Sequence, residues 1–153
     1  MTDTTIAVNQ ITQMLSMQDA MNSRVSDTWR DNGYEWYRAI WVECAEMLDH
    51  HGWKWWKHQE IDVPQVQLEL VDIFHFGLSL RLMTGASVED IATSLANEVN
   101  QKSDETDFKI ALESLASSAV TDKAFDGQAF ADCMHLMNMD LGELFRQYVG
   151  KNT

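Results

Sequence analysis

Apolar residues recur at three- and four-residue steps in stretch after stretch of this chain, and that spacing leaves little but helices for it to fold into. Ile6, Ile11, Met14, Leu15 and Met21 make the first stretch, mostly at these steps. Tyr37, Ile40, Trp41, Cys44, Met47 and Leu48 make the second, within residues 34–50. Val66, Leu70, Ile73, Phe74, Leu78 and Leu82 make the third. Pro64 suits a first helical turn, where its missing N–H costs little, and Gly85 supplies a C-terminal stop. Ser87-Val88-Glu89-Asp90 resembles a capping box, with Asp90 in place of the usual Glu, ahead of Ile91 and Leu95. Residues 108–120 and 130–149 complete the series. The breaks between them are short and polar: Asp31-Asn32-Gly33, His50-His51-Gly52 opening a loop to Asp62, Thr84-Gly85-Ala86, and Phe125-Asp126-Gly127. One proline and seven glycines in 153 residues are too few for a β-sandwich or a disordered tail. No internal repeat or low-complexity segment interrupts the pattern. The reading is one all-α domain over residues 1–153, a helical bundle of five or six helices.

Charge narrows the function. Asp+Glu number 24 against Lys+Arg 11, a formal net charge of -13. A bare nucleic-acid- or anionic-membrane-binding module needs a basic surface, so that class is set aside. An anionic substrate requires something positive to come with it, and a divalent metal is the obvious companion. Cys44 and Cys133 lie in no CxxC or zinc-spaced cluster and read as reduced thiols of an intracellular, cytoplasmic protein. Residues 1–10 lack the basic start and apolar run of a signal peptide, and no stretch is apolar for long enough to span a bilayer.

Four carboxylates stand where chance would not put them. Glu43 and Glu46 are three apart, as are Glu69 and Asp72, so on helices each pair points in one direction. Ile40, Cys44 and Met47 flank the first pair; Leu68, Leu70, Val71, Ile73 and Phe74 flank the second. Carboxylates left alone among such residues would suffer desolvation and mutual repulsion or take up protons. A hard divalent cation with oxygen ligands resolves both problems, and Mg²⁺ fits best. One such pair is common on solvated helix faces. Two pairs in apolar stretches of consecutive helices favour the metal.

These residues resemble a known family. ExxE on one helix followed by ExxD on the next is the signature of the all-α nucleoside triphosphate pyrophosphatases, which include the MazG-type enzymes. The fuller string here is Glu43-Cys44-Ala45-Glu46, then Gly52-Trp53-Lys54-Trp55-Trp56-Lys57, then Glu69-Leu70-Val71-Asp72-Ile73-Phe74-His75-Phe76. It is similar to the dimeric dUTPase branch and its relatives among phage dCTPase–dUTPases. Residues 14–22 resemble that branch's first helix, and Tyr148-Val149-Gly150-Lys151-Asn152 carries a weaker similarity.

The resemblance implies Glu43, Glu46, Glu69 and Asp72 as Mg²⁺ ligands, with Glu46 also orienting or deprotonating the attacking water. It implies that Gln18 and Asn22 read the uracil edge, that Trp53 packs on the nucleotide, and that Lys54, Lys57 and Lys151 meet phosphate oxygens. It implies hydrolysis of dUTP and dUDP to dUMP by a homodimer. An excess of Trp and Met for one small core agrees with a dimer. The family's chains continue past the Lys-Asn pair into a phosphate-binding tail, which this chain, stopping at Thr153, is expected to lack.

The residues by themselves leave blander readings open. Gln18 and Asn22 also suit a solvated edge, Trp53, Trp55 and Trp56 core or interface anchors, and Lys54 and Lys57 plain surface charge. His75 reads as a satisfied core histidine, His50-His51 as a helix end, and Met134, Met137 and Met139 as packing material. Rival functions are a dCTPase or broader nucleotide hydrolase, and an inactive helical interaction module. A carboxylate-bridged redox bundle is disfavoured by the absence of an ExxH motif on these helices.

Overall fold

A computed structural model describes residues 3–101 and 103–152. The expectations placed on Met1, Thr2 and Thr153 concern residues outside the described ones. Among the described residues there are seven α-helices and no strand: α1 (Asp3–Val25), α2 (Trp36–His51), α3 (Val63–Leu82), α4 (Val88–Asn100), α5 (Phe108–Asp122), α6 (Gly127–Leu136) and α7 (Leu141–Lys151), with a 3₁₀ turn at Trp29–Asp31 between α1 and α2. None of these helices is long and apolar enough to cross a membrane.

The bundle is all-α as expected, but it has seven helices rather than five or six. The difference lies in residues 130–149, which read as one helix and form two. Asn138 turns into the left-handed region (φ 59°), and Asp140 Oδ1 then accepts from Glu143 N–H at 2.8 Å to start α7. Asp and Asn tolerate these conformations because their short side chains bond nearby backbone. The other starts follow the same chemistry. Asp62, Ser87, Asp107 and Asp126 each accept an N–H of the first turn of α3, α4, α5 and α6. Pro64 stands in the first turn of α3.

α3 is the axis of the molecule. It packs against α1, α2, α4, α6 and α7, and so it is apolar on most sides rather than one. Val66, Leu70, Ile73, Phe74, Leu78 and Leu82 are fully buried on it. Phe74, Phe125 and Phe130 make an aromatic cluster beside it, with ring centroids 5.2–6.1 Å apart. Gly77 lets that cluster approach, since a Cβ there would stand 2.6 Å from the Phe125 ring. Met134, Met137 and Met139 are buried in the same core. Cys44 and Cys133 are free thiols, as their spacing suggested, and both are buried.

One ion pair is built into this core. Arg81 of α3 grips Glu98 of α4 with two 2.8 Å bonds and also donates to the Phe125 carbonyl. Gly127 N–H completes Glu98 Oε1 at 3.1 Å. Three helices and a loop are tied at that point.

Candidate metal centre

α2 and α3 lie side by side, and Glu43 of α2 meets Glu69 and Asp72 of α3 between them. Ile40, Cys44 and Met47 form the buried stripe of α2, and Glu43 stands on that stripe. Glu69 stands among Val66, Leu70 and Ile73 on α3 and is itself buried, with Asp72 half-buried one turn on. One carboxylate oxygen from each of Glu43, Glu69 and Asp72 lies within 4.8 Å of the other two.

Glu46 does not join this group. It is exposed, because a three-residue step turns it about 60° off Glu43, away from the Ile40–Cys44–Met47 stripe. Its charge still bears on Glu43 and helps to raise that carboxyl's pKa. The structure thus gathers three of the four expected ligands, with the fourth at their edge.

The protein does not satisfy this cluster. Glu43 Oε2 and Glu69 Oε2 are buried without a hydrogen-bond partner. Glu69 Oε1 accepts from Gln65 Nε2 at 3.1 Å, and His50 Nε2 stands 3.8 Å from the same oxygen. Burial pushes the Glu43 carboxyl up to about 8, helped by the hydrogen bond and charge of Glu69 and then by Glu46. Burial and the Glu43 charge push the neighbouring Cys44 thiol up to about 12. An all-oxygen donor set with surplus negative charge and two orphaned oxygens fits a hard divalent cation.

α7 brings a cation to the rim. Lys151 pairs with Asp72, so the expected phosphate ligand is at the carboxylates, engaged with one of them.

Gln18 and Asn22 are not a solvated edge. Gln18 is 0% exposed and Asn22 is buried beside it on α1. Tyr148 donates its hydroxyl to Gln18 Oε1 at 2.6 Å, while Gln18 Nε2 faces Asn22 Oδ1 and His75 Nε2, each at 3.0 Å. Asn22 Nδ2 donates to Ser79 Oγ at 3.0 Å. His75, expected as a satisfied core histidine, is half-buried with its Nε2 at Gln18, and burial lowers its pKa. Ser79 carried no signal of its own in the sequence. It lies on the stripe of α3 that also bears Glu69 and Asp72, which is the pattern that would have found it.

The loop after α2 carries the tryptophans. Trp53, Trp55 and Trp56 are exposed and meet edge to face, at 5.6 Å for Trp53–Trp56 and 4.6 Å for Trp55–Trp56. Trp55 is 86% exposed, so it is no core anchor in this chain. Trp53 Nε1 donates to Asp49 at 3.1 Å, and Lys54 Nζ stands 6.0 Å from the Trp53 ring centroid. Lys57 is exposed. Gln59, which nothing in the sequence singled out, accepts from the Trp53 and Lys54 N–H groups at 3.0 and 2.7 Å. His50 and His51 end α2, as expected, and His51 stacks on Phe108 at 4.5 Å.

The family model described as dUTPase matches residues 10–153. No curated protein matches the chain.

Proposed function

The chain belongs to the dUTPase family, and on that premise we propose that it is a Mg²⁺-dependent nucleotide pyrophosphatase hydrolysing dUTP, and dUDP, to dUMP. The observation that carries this reading is the convergence of Glu43, Glu69 and Asp72 with two carboxylate oxygens left unsatisfied. A triphosphate would be repelled by these groups alone. Mg²⁺ held there supplies the positive charge that phosphate oxygens need and favours ionisation of water.

The residues divide the remaining work. Glu43, Glu69 and Asp72 hold the ion. Glu46, exposed beside Glu43, orients the attacking water and takes its proton. The water oxygen bonds to phosphorus, the P–O bond to the leaving phosphate group breaks, and dUMP departs from pyrophosphate (from phosphate when the substrate is dUDP). Lys151 exchanges Asp72 for a phosphate oxygen when substrate arrives, and Lys54 and Lys57 approach the phosphates from the Trp loop. Trp53 packs on the nucleotide. Asn22, backed by Gln18, reads the pyrimidine edge, since an amide both donates and accepts. Positioning and charge neutralisation are most of what phosphoryl transfer requires.

We further take the chain to act as one domain, as a homodimer and in the cytoplasm, on the nucleotide pool. The exposure of Trp41, Trp55 and Trp56 supports an apolar contact with a second copy. The test is release of pyrophosphate or phosphate from dUTP, dUDP, dCTP and dTTP with and without Mg²⁺. Faster Mg²⁺-dependent release from the uracil nucleotides is expected. Release from none of the four would overturn the reading in favour of an inactive helical module.

A further inference from the structure

Five side chains from three helices share one directional chain of hydrogen bonds. The Tyr148 hydroxyl lies 2.6 Å from Gln18 Oε1 and 3.3 Å from the Met14 carbonyl. Its one proton goes to the nearer oxygen, at a length typical of O–H···O bonds. Gln18 Oε1 is therefore the acceptor, and its Nε2 faces Asn22 Oδ1 and His75 Nε2. Asn22 must then show its Nδ2 to Ser79, which passes its own proton to the His75 carbonyl at 3.1 Å. His75 joins as a neutral acceptor, with its proton on Nδ1. Burial favours that neutral form.

This order has a consequence for Asn22. Both N–H groups of Gln18 are engaged and the residue is fully buried. Asn22 keeps one N–H and one oxygen lone pair. It lines a cavity of about 70 Å³ together with Val25, Trp29, Tyr34 and Trp36. Trp36 Nε1, another donor, is buried without a partner. Uracil and cytosine differ at two adjacent positions: uracil offers C4=O and N3–H where cytosine offers C4–NH₂ and a bare N3. An amide free to turn over serves either base. An amide held in one sense serves one.

We propose that Tyr148 and Ser79 are positioning residues that hold the Gln18–Asn22 amide pair in one sense, so that the base site accepts uracil and rejects cytosine. The inference rests on the proposed role of Asn22 at the base. Equilibrium binding of dUMP and dCMP tests it without requiring turnover. The wild-type chain is expected to bind dUMP at least about 100-fold more tightly, because a mismatched site leaves buried polar groups unpaired. Tyr148→Phe and Ser79→Ala each remove one oxygen and keep the surrounding volume. Each is expected to bring that ratio below roughly tenfold, chiefly by strengthening dCMP binding. A purely structural lesion would weaken both nucleotides together. A wild-type ratio near one overturns the proposal, as does an unchanged ratio in whichever variant retains a cooperative thermal transition. Hydrolysis of dUTP by the wild-type chain is measured separately. Its absence would sink the proposed activity and leave the binding ratio to judge the amide lock.

Discussion

Glu98 and Glu69 are carboxylates at the same bundle, and the protein treats them in opposite ways. Both Glu98 oxygens are occupied: Arg81 takes one bond to each, Gly127 N–H adds to Oε1, and Ser94 reaches Oε2 at 3.3 Å. Burial alone would raise the Glu98 carboxyl, but Arg81, the Gly127 N–H and Ser94 outweigh it and hold the pKa below its usual value. At the acidic cluster the balance is reversed. Glu69 Oε2 and Glu43 Oε2 have no partner, the nearest charges include like ones, and Glu43 is pushed up. The chain can satisfy a half-buried carboxylate completely and does so where the role is to tie helices together. Where it leaves oxygens unpaired, the rest of the fold bears the cost and the site is open to a cation from outside.

The sharpest way to break this contrast is to neutralise each region in turn. Glu69→Gln keeps the size of the side chain and removes a ligand charge. It is expected to lower Mg²⁺-dependent dUTP hydrolysis on the order of 10³-fold, about 4 kcal/mol of transition-state stabilisation. Its thermal midpoint in EDTA should equal or exceed that of the wild type, because a repulsive buried charge has gone. A variant that lost stability instead would put Glu69 in the same class as Glu98.

Arg81→Ala asks the opposite question. It leaves half-buried Glu98 without its counter-charge, and breaking a partly exposed, bidentate pair of this kind costs about 2 kcal/mol, seen as a fall of roughly 6 °C in the thermal midpoint. Hydrolysis per folded molecule should stay within about twofold of wild type, since the lesion lies outside the acidic cluster. A large loss of activity at full occupancy of the folded state would show that the tie also shapes the site.

The two regions were not equally legible in the sequence. Glu43, Glu69 and Asp72 were visible because helical spacing converts directly into a shared face, and their apolar neighbours marked that face as interior. Glu46 shows the limit of that argument: a step of three gives a roughly 60° offset, which leaves Asp72 half-buried on the crowded α3 but carries Glu46 into solvent on α2. The Gln18–Asn22 network could not be read locally, because its partners lie 57 and 130 residues away. Arg81–Glu98 was hidden for the same reason. The α6–α7 break did leave a local signal in Asp140-x-x-Glu143 after Asn138, but the continuing run of apolar residues concealed it.

Proton linkage sharpens the contrast at smaller scale. The Glu43 carboxyl is pushed up to about 8 in the fold from its ordinary 4.5, chiefly by burial, so the native state binds the extra proton. The stability this gives is complete below about pH 4.5 and is lost as pH rises through 8. With the cluster partly open to solvent, the decline should amount to about 1–2 kcal/mol, read as a falling thermal midpoint in EDTA. Saturating Mg²⁺ should reverse the sign of the slope, because the ion binds the deprotonated cluster. Glu43→Gln should flatten the decline in EDTA. Glu98 predicts the opposite dependence for its own region, with stability lost only as pH falls through its depressed pKa.

Gln59 offers a third case, a neutral clamp at the surface. Its Oε1 gathers two backbone N–H groups, those of Trp53 and Lys54, and so pins the start of a loop whose tryptophans are largely exposed. Gly52 turns the chain into that loop at φ 96°, and a Cβ there would stand 3.0 Å from Gln59 Cβ. No charge is buried, so neither the gain of the Arg81 tie nor the frustration of the acidic cluster applies. Gln59→Ala should therefore change the thermal midpoint little, at about 1 kcal/mol or less. Its effect should be local: faster proteolytic cleavage within residues 52–62 and a KM for dUTP raised a few-fold with kcat nearly kept, as expected when a positioning loop loosens without touching the reacting groups. A fall in kcat with unchanged KM would instead connect the loop to the carboxylates, and the separation between the satisfied and unsatisfied regions would have to be redrawn to include it.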